Sequence, residues 1–123
     1  MSITIGPFTL NSQVVLAPMA GVSDLPMREL AVELGAGIAV GEMQTADLNL
    51  THTRKTVQRQ QHSPRAGLRS VQIVGYDPTQ LAEAARFNAD LGADIIDINM
   101  GCPAKKVCRR AAGSALLADE ALV

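Results

Sequence analysis

The stretch LGADIIDINMGCPAKKV, Leu91 to Val107, decides the fold. It reads as the end of a helix, a tight turn, a strand and an abrupt stop. Gly92 suits the left-handed turn that closes a helix. Asp94 to Met100 is a short, β-branched, apolar run carrying two Asp and one Asn, which predicts a buried strand. The strand then ends by presenting Asn99 and Cys102 beside Gly101 and Pro103, with lysines directly after.

Working outward, the pattern repeats. LGAGI begins at Leu34 and LGADI begins at Leu91, 57 residues apart, and each marks a helix end followed by a strand start. Val14–Met19, Ile38–Met43 and Ser70–Gly75 predict three more strands. A helix follows the first of them. Ser23 or Asp24 caps it, Pro26 fits its first turn, and Met27, Leu30, Ala31 and Leu34 fall on one helical face. Asp77 and Pro78 open another, with Leu81, Ala84, Ala85 and Leu91 expected to face inward. The polar stretch from Asp47 to Gly67 predicts a long loop with one weakly amphipathic helix. The tail, GSALLADEALV, predicts a helix that has just begun.

Strands alternating with helices imply an α/β class with a parallel sheet covered by helices. Right-handed crossovers then bring every carboxyl end to one face, which is where such folds keep their chemistry. A doubly wound nucleotide-binding sheet calls for GxGxxG or GxxxxGK[ST] after the first strand, and APMAGVSD is neither. A (β/α)8 TIM barrel needs about 250 residues. With 123 residues and four predicted strands, the expectation is one partial domain, residues 1–123, forming the N-terminal half of a barrel.

Composition narrows the function classes. The chain is 47% hydrophobic, yet no window approaches the ~20 apolar residues that span a bilayer. The start, MSITIGPFTL, lacks the basic region of a signal peptide, so no membrane association and a cytoplasmic location are expected. Cys102 and Cys108 lie six apart, a spacing that predicts neither a metal site nor a disulfide. Net charge is −1, but nine of the eleven basic residues sit in two segments. Arg54, Lys55, Arg59, Arg65 and Arg69 occupy a stretch with no acid between Asp47 and Asp77, and Lys105, Lys106, Arg109 and Arg110 form the second cluster. An isolated charge cluster is more often plain solvated surface; two such clusters raise the alternative of an anionic partner.

Cys102 is the sharpest candidate for chemistry. A thiol with the reference pKa of about 8.5 is a proton donor near neutrality, and nearby lysines could instead favour a nucleophile. Buried cysteines are commonly structural, but a place at a strand's carboxyl end, between Gly101 and Pro103, favours function. Asn99 carries a donor and an acceptor suited to an amide or imide edge, or to turning the chain. Gln72, among Val71, Ile73 and Val74, must find polar partners in a ligand or a neighbour. Pro18, Met19 and Ala20 end the first strand with groups that suit a flat aromatic ligand. Glu42 and Asp97 are acids within strands that could serve as inward polar partners, with no evident chemical task.

APMAGVSDLPMREL, VQIVG, IDINMGCPAKKV and AGSALL, in that order between about Leu10 and Leu117, resemble the bacterial tRNA-dihydrouridine synthases, closest to their B-type branch. The NMGCPAKKV wording is highly specific. The resemblance implies a flavin enzyme on a TIM barrel, reducing uridine in tRNA to 5,6-dihydrouridine with NADPH as reductant. It implies that Pro18, Met19, Ala20 and Gln72 hold FMN and that Asn99 holds the uridine, while Cys102 is the general acid. With the second basic cluster, it points to Lys105, Lys106 and Arg109 as tRNA contacts. Met27 stands where members often carry an aromatic residue, and Cys108 where they usually carry another residue. The later-strand lysine and histidine, the loops gripping the flavin phosphate and the helical RNA-binding domain are not among these 123 residues, so the chain alone is expected to be inactive. A truncated, inactive piece and another FMN barrel oxidoreductase acting on a small pyrimidine are the competing readings.

Overall fold

The computed structural model describes residues 2–123. The chain opens with a hairpin that the reading above did not anticipate. β1 (Ile3–Ile5) and β2 (Phe8–Leu10) pair antiparallel across the two-residue loop Gly6-Pro7. Gly6 takes φ +54°, which is what a glycine at the first central position of a tight hairpin turn supplies. The hairpin has a structural task. Leu10, 4% exposed, packs with Ile38 and Val40, and Leu68 and Ile95 close around them. The contact therefore plugs the amino ends of the sheet, opposite the end that carries Cys102.

The sheet is parallel apart from this hairpin. β3 (Val15–Leu16) pairs with β4 (Ile38–Ala39), β5 (Gln44–Thr45) pairs with β6 (Ser70–Val74), and β6 pairs with β7 (Ile95–Ile98). β4 and β5 are one strand path with an interruption. Val40 bridges Ser70 and Gln44 pairs with Ile73, so four steps on one strand are set against three on the other. The extra residue is absorbed within Gly41–Met43, and a bulge of this kind re-aims the side chains it carries. That is why the predicted strand Ile38–Met43 is regular only at Ile38–Ala39. Each parallel strand neighbours the one that follows it in sequence, with no reversal of strand order. A doubly wound sheet would show a reversal.

Helices fill the crossovers. α1 (Leu25–Glu33) starts at Asp24, whose carboxylate accepts from the Met27 backbone N–H at 3.1 Å. α2 (Arg54–Arg59) is the short helix expected in the polar stretch, flanked by 3-10 turns at Leu48–Leu50 and Pro64–Ala66. α3 (Pro78–Asp90) is capped by Asp77, which accepts from Thr79 and Gln80. Its Ala84 and Leu81 pack with Val71, Ile73, Ala46 and Ile96 to form the larger core. α4 (Lys105–Cys108) was not predicted, and the tail forms a 3-10 helix, Gly113–Ala118, rather than the start of an α-helix.

Three apolar positions expected on inner faces are exposed. Leu34 is 80% exposed, and Leu30 and Leu91 are also open to solvent. Leu34 and Leu91 are the C-cap residues of α1 and α3, past the last turn that touches the sheet. Leu30 lies two residues beyond Arg28, about 200° further round the helix axis, and Arg28 holds the inner face. Arg28 is buried and donates to Ser23 O at 3.2 Å and to Gln61 O at 2.8 Å, tying α1 to the loop before β6. Burial first, and Arg69 second, lower its pKa from the ordinary guanidinium value.

These placements make a contrasting prediction. Leu10→Ala should destabilise the chain by about 2–5 kcal/mol, the usual cost of emptying a buried leucine site, whereas Leu34→Ala should change stability by less than about 0.5 kcal/mol. Urea unfolding of the two variants checks this, and equal midpoints would mean that the hairpin does not close the core.

Candidate active site

β6 and β7 run parallel with Gln72 opposite Asp97. That register places the two side chains together, and Gln72 Nε2 donates to Asp97 Oδ2. Successive residues of a strand alternate faces, so Asn99 shares a face with Asp97. Its backbone N–H extends the ladder by donating to Ile73 O at 2.9 Å. Its Nδ2 donates to Gln72 Oε1 at 2.9 Å. The orientation of the Gln72 amide is thereby set, because a carboxylate on one side demands the NH2 and leaves the oxygen for Asn99. Asn99 Oδ1 then accepts from Gly101 N at 3.3 Å and Cys102 N at 3.0 Å. A continuous hydrogen-bonded chain runs from Asp97 through Gln72 and Asn99 to the backbone of Cys102. Gln72 is buried, so an unmade bond here would cost about 1–3 kcal/mol.

The Cys102 turn is also held from behind. Its carbonyl accepts from Ser114 N at 3.1 Å and from Cys108 Sγ at 3.6 Å, and Cys108 Sγ lies 3.4 Å from Ser114 Oγ. Both cysteines are free thiols, and Cys108, without a role in the sequence reading, is a packing partner of the Cys102 loop. Gly113 makes this approach possible. It has φ +63°, and a Cβ there would lie 2.6 Å from the Cys102 carbonyl oxygen and 2.8 Å from Val107 Cγ1.

The facing wall is the loop after β3. Ser23 is fully buried; its hydroxyl accepts from Met19 N at 2.8 Å and donates to Met19 O at 3.2 Å. Glu42, on the bulge between β4 and β5, accepts from Gly21 N and so anchors the loop to the sheet. Between the two walls lies a cavity of about 540 Å³. Pro18, Ala20, Gln72, Asn99 and Cys102 all line it, so five of the candidate residues converge there. Met19 contributes its backbone to the turn but is not among the lining residues. Lys105, Lys106 and Arg109 lie outside this cavity, exposed on or just after α4. Sequence reasoning named Asp97 and Glu42 only as candidate inward polar partners, which they are, and gave no part to Met43. The available signal was an acid two residues before Asn99 and an acid at the end of a strand.

The donor set suits a flat heteroaromatic ring. Pro18, Ala20, Met43 and Met100 offer apolar surface, and the amides of Gln72 and Asn99 offer polar groups at one edge. No lysine or arginine lines the cavity. Among the described residues, no group of three or more His, Cys, Asp or Glu is placed to hold a metal ion, and no helix is long and apolar enough to cross a membrane.

Residues 15–123 match the sequence model of the Dus family, dihydrouridine synthase. The chain belongs to the dihydrouridine synthase family. It is 60% identical over 121 residues to the tRNA-dihydrouridine synthase B of Pseudomonas aeruginosa, covering 98% of this chain and 36% of that protein. It is 58% identical over 119 residues to the protein of the same name from Xanthomonas campestris, covering 97% and 36%. For the Vibrio parahaemolyticus protein the figures are 55% over 113 residues, 92% and 35%. The chain thus spans about a third of the length of these dihydrouridine synthase relatives.

Gly113→Ala should destabilise the chain by about 1–3 kcal/mol, the cost of a strained backbone conformation combined with a clash. Gly101→Ala, with nothing within 4 Å of its Cβ position, should stay within about 0.5 kcal/mol of the parent. Chemical denaturation of the pair checks the assignment of Gly113 as the close-approach point, and two silent substitutions would refute it.

Proposed function

We propose that residues 1–123 form the flavin- and uridine-facing part of an FMN-dependent tRNA-dihydrouridine synthase, built on the N-terminal half of a (β/α)8 barrel. The consecutive, unreversed order of the parallel strands supports the barrel. The names of the relatives support tRNA as the substrate. The observation that carries the reading is the fixed turn that brings Cys102 into a ring-sized cavity beside two oriented amides.

The reaction adds a hydride to C6 and a proton to C5 of the uracil ring. FMN, when bound and reduced at the expense of NADPH, would supply that hydride. Pro18, Ala20 and the Met19 turn would flank the flavin ring, with Gln72 at its polar edge. Cys102 would face the uracil, release the Sγ proton to C5 and regain it from solvent. Asn99 would orient the uridine while keeping the Cys102 turn in place, since its Oδ1 holds two backbone N–H groups. Lys105, Lys106 and Arg109 would meet the surrounding tRNA, and a substrate of this kind would be met in the cytoplasm.

The cavity fits the ring of FMN better than its phosphate. Without a lysine or arginine in the lining, the phosphate lacks charge-assisted bonds worth about 1.5–3 kcal/mol each. Residues 1–123 alone should therefore be colourless when purified, bind FMN weakly and reduce no uridine.

The decisive experiment places residues 1–123 in a chimera, in place of the matching segment of the Pseudomonas aeruginosa relative. Cys102→Ala should lower tRNA uridine reduction by about 10²–10⁴-fold, the typical worth of a general acid. Flavin reduction by NADPH should persist, and Cys108→Ala should be close to silent. Unchanged turnover in Cys102→Ala would make that thiol structural. Efficient reduction of free uridine would favour a small-pyrimidine oxidoreductase instead.

A further inference from the structure

Two residues from each basic cluster, distant in sequence, converge on one groove. A second cavity, of about 480 Å³, lies between α2 and α4 at the carboxyl ends of β5 and β6. Lys55 and Arg59 line it from α2, and Lys106 and Arg110 line it from α4 and the turn after it. Each pair is four residues apart, so each projects from one side of its element. Asp47 is the one carboxylate in the lining, and its Oδ1 is engaged by Asn49 N and Nδ2.

The charge in this groove is largely uncompensated. Among the described residues, the ion pairs are those of Arg65 with Glu29 and Glu33, none of which lines the groove. Lys55, Lys106 and Arg110 have no carboxylate partner there. Arg59 donates to Met43 O at 2.9 Å, and Met43 lines both this groove and the Cys102 cavity. The two spaces therefore share a wall. Tyr76, half exposed, stands at the groove's lining as a ring on which a base can stack.

We propose that this groove is a phosphodiester clamp for the single-stranded RNA flanking the target uridine. It rests on the reading of Cys102 and its cavity as the uridine site. Four cations against one carboxylate match a polyanion. The shared Met43 wall lets a strand continue from the base in the cavity to its backbone in the groove. Lys106 and Arg110 enter the groove, whereas Lys105 and Arg109 do not line it, so the second cluster divides into groove and non-groove residues.

Salt dependence of tRNA binding by the full 123-residue chain tests the clamp. Lys55→Gln/Lys106→Gln is compared with Arg65→Gln/Arg86→Gln, which removes the same charge from outside the groove. The slope of log affinity against log salt should become shallower by roughly 0.7 for each groove lysine removed. The control should keep the parent slope. Equal slopes for the two variants, or no salt-dependent binding by the parent chain, would overturn the clamp. Loss of NADPH oxidation in the chimera carrying the groove substitutions, with the tRNA slope intact, would assign the groove to the dinucleotide's phosphate and also overturn it. Because binding is read, not uridine reduction, the two readings fail separately. A chain that binds tRNA through the groove but supports no reduction would lose the proposed activity and keep the clamp, whereas an active chimera with equal slopes would do the reverse.

Discussion

The pairing of Gln72 with Asp97 across the β6–β7 ladder is the constraint on which the site depends. A glutamine inside a strand is costly to bury unless both ends of its amide are satisfied. Asp97 takes the NH2 end, which turns the carbonyl toward Asn99, which in turn directs its own oxygen to the backbone of Cys102. A one-residue slip of β7 against β6 would move Asp97 to the opposite face and break every later bond in the chain. The hydrophobic pattern of Ile95, Ile96 and Ile98 against Val71 and Ile73 resists such a slip, so core packing and site geometry are fixed by one register.

The rest of the structure supports that register from two ends. At the amino ends, the hairpin buries Leu10 against Ile38, Val40, Leu68 and Ile95. At the carboxyl ends, Gly113 and Ser114 brace the Cys102 carbonyl, and Glu42 holds the facing loop through Gly21. The bulge at Gly41–Met43 is what brings Glu42 to that loop and Met43 between the two cavities. Rigid elements thus carry the Cys102 turn, and the loops around it are tied to them by specific bonds.

Much of this was legible in the sequence. Parallel strand–helix alternation follows from the apolar runs and caps, and Asp24 and Asp77 cap their helices as their positions suggested. The convergence of Pro18, Ala20, Asn99 and Cys102 follows from their places just past strand ends, and Gln72 joins them from inside β6. The hairpin was missed because its signal, a Gly-Pro turn between short β-branched runs, was read only as a non-signal segment. Leu30 and Leu34 misled because apolar spacing marks a face without saying what covers it; a buried arginine took the inner position instead. The joining of two distant basic clusters is a tertiary event that no local pattern encodes.

Asp97, Gln72 and Asn99 act as one unit. A double-mutant cycle of Asp97→Ala and Asn99→Ala, read by chemical unfolding, tests it directly, because the two side chains are linked through Gln72. A coupling of about 0.5–3 kcal/mol between them is expected, as for residues in one hydrogen-bond network. Additive effects, within about 0.3–0.5 kcal/mol, would show two independent contacts and contradict the relay that positions Cys102.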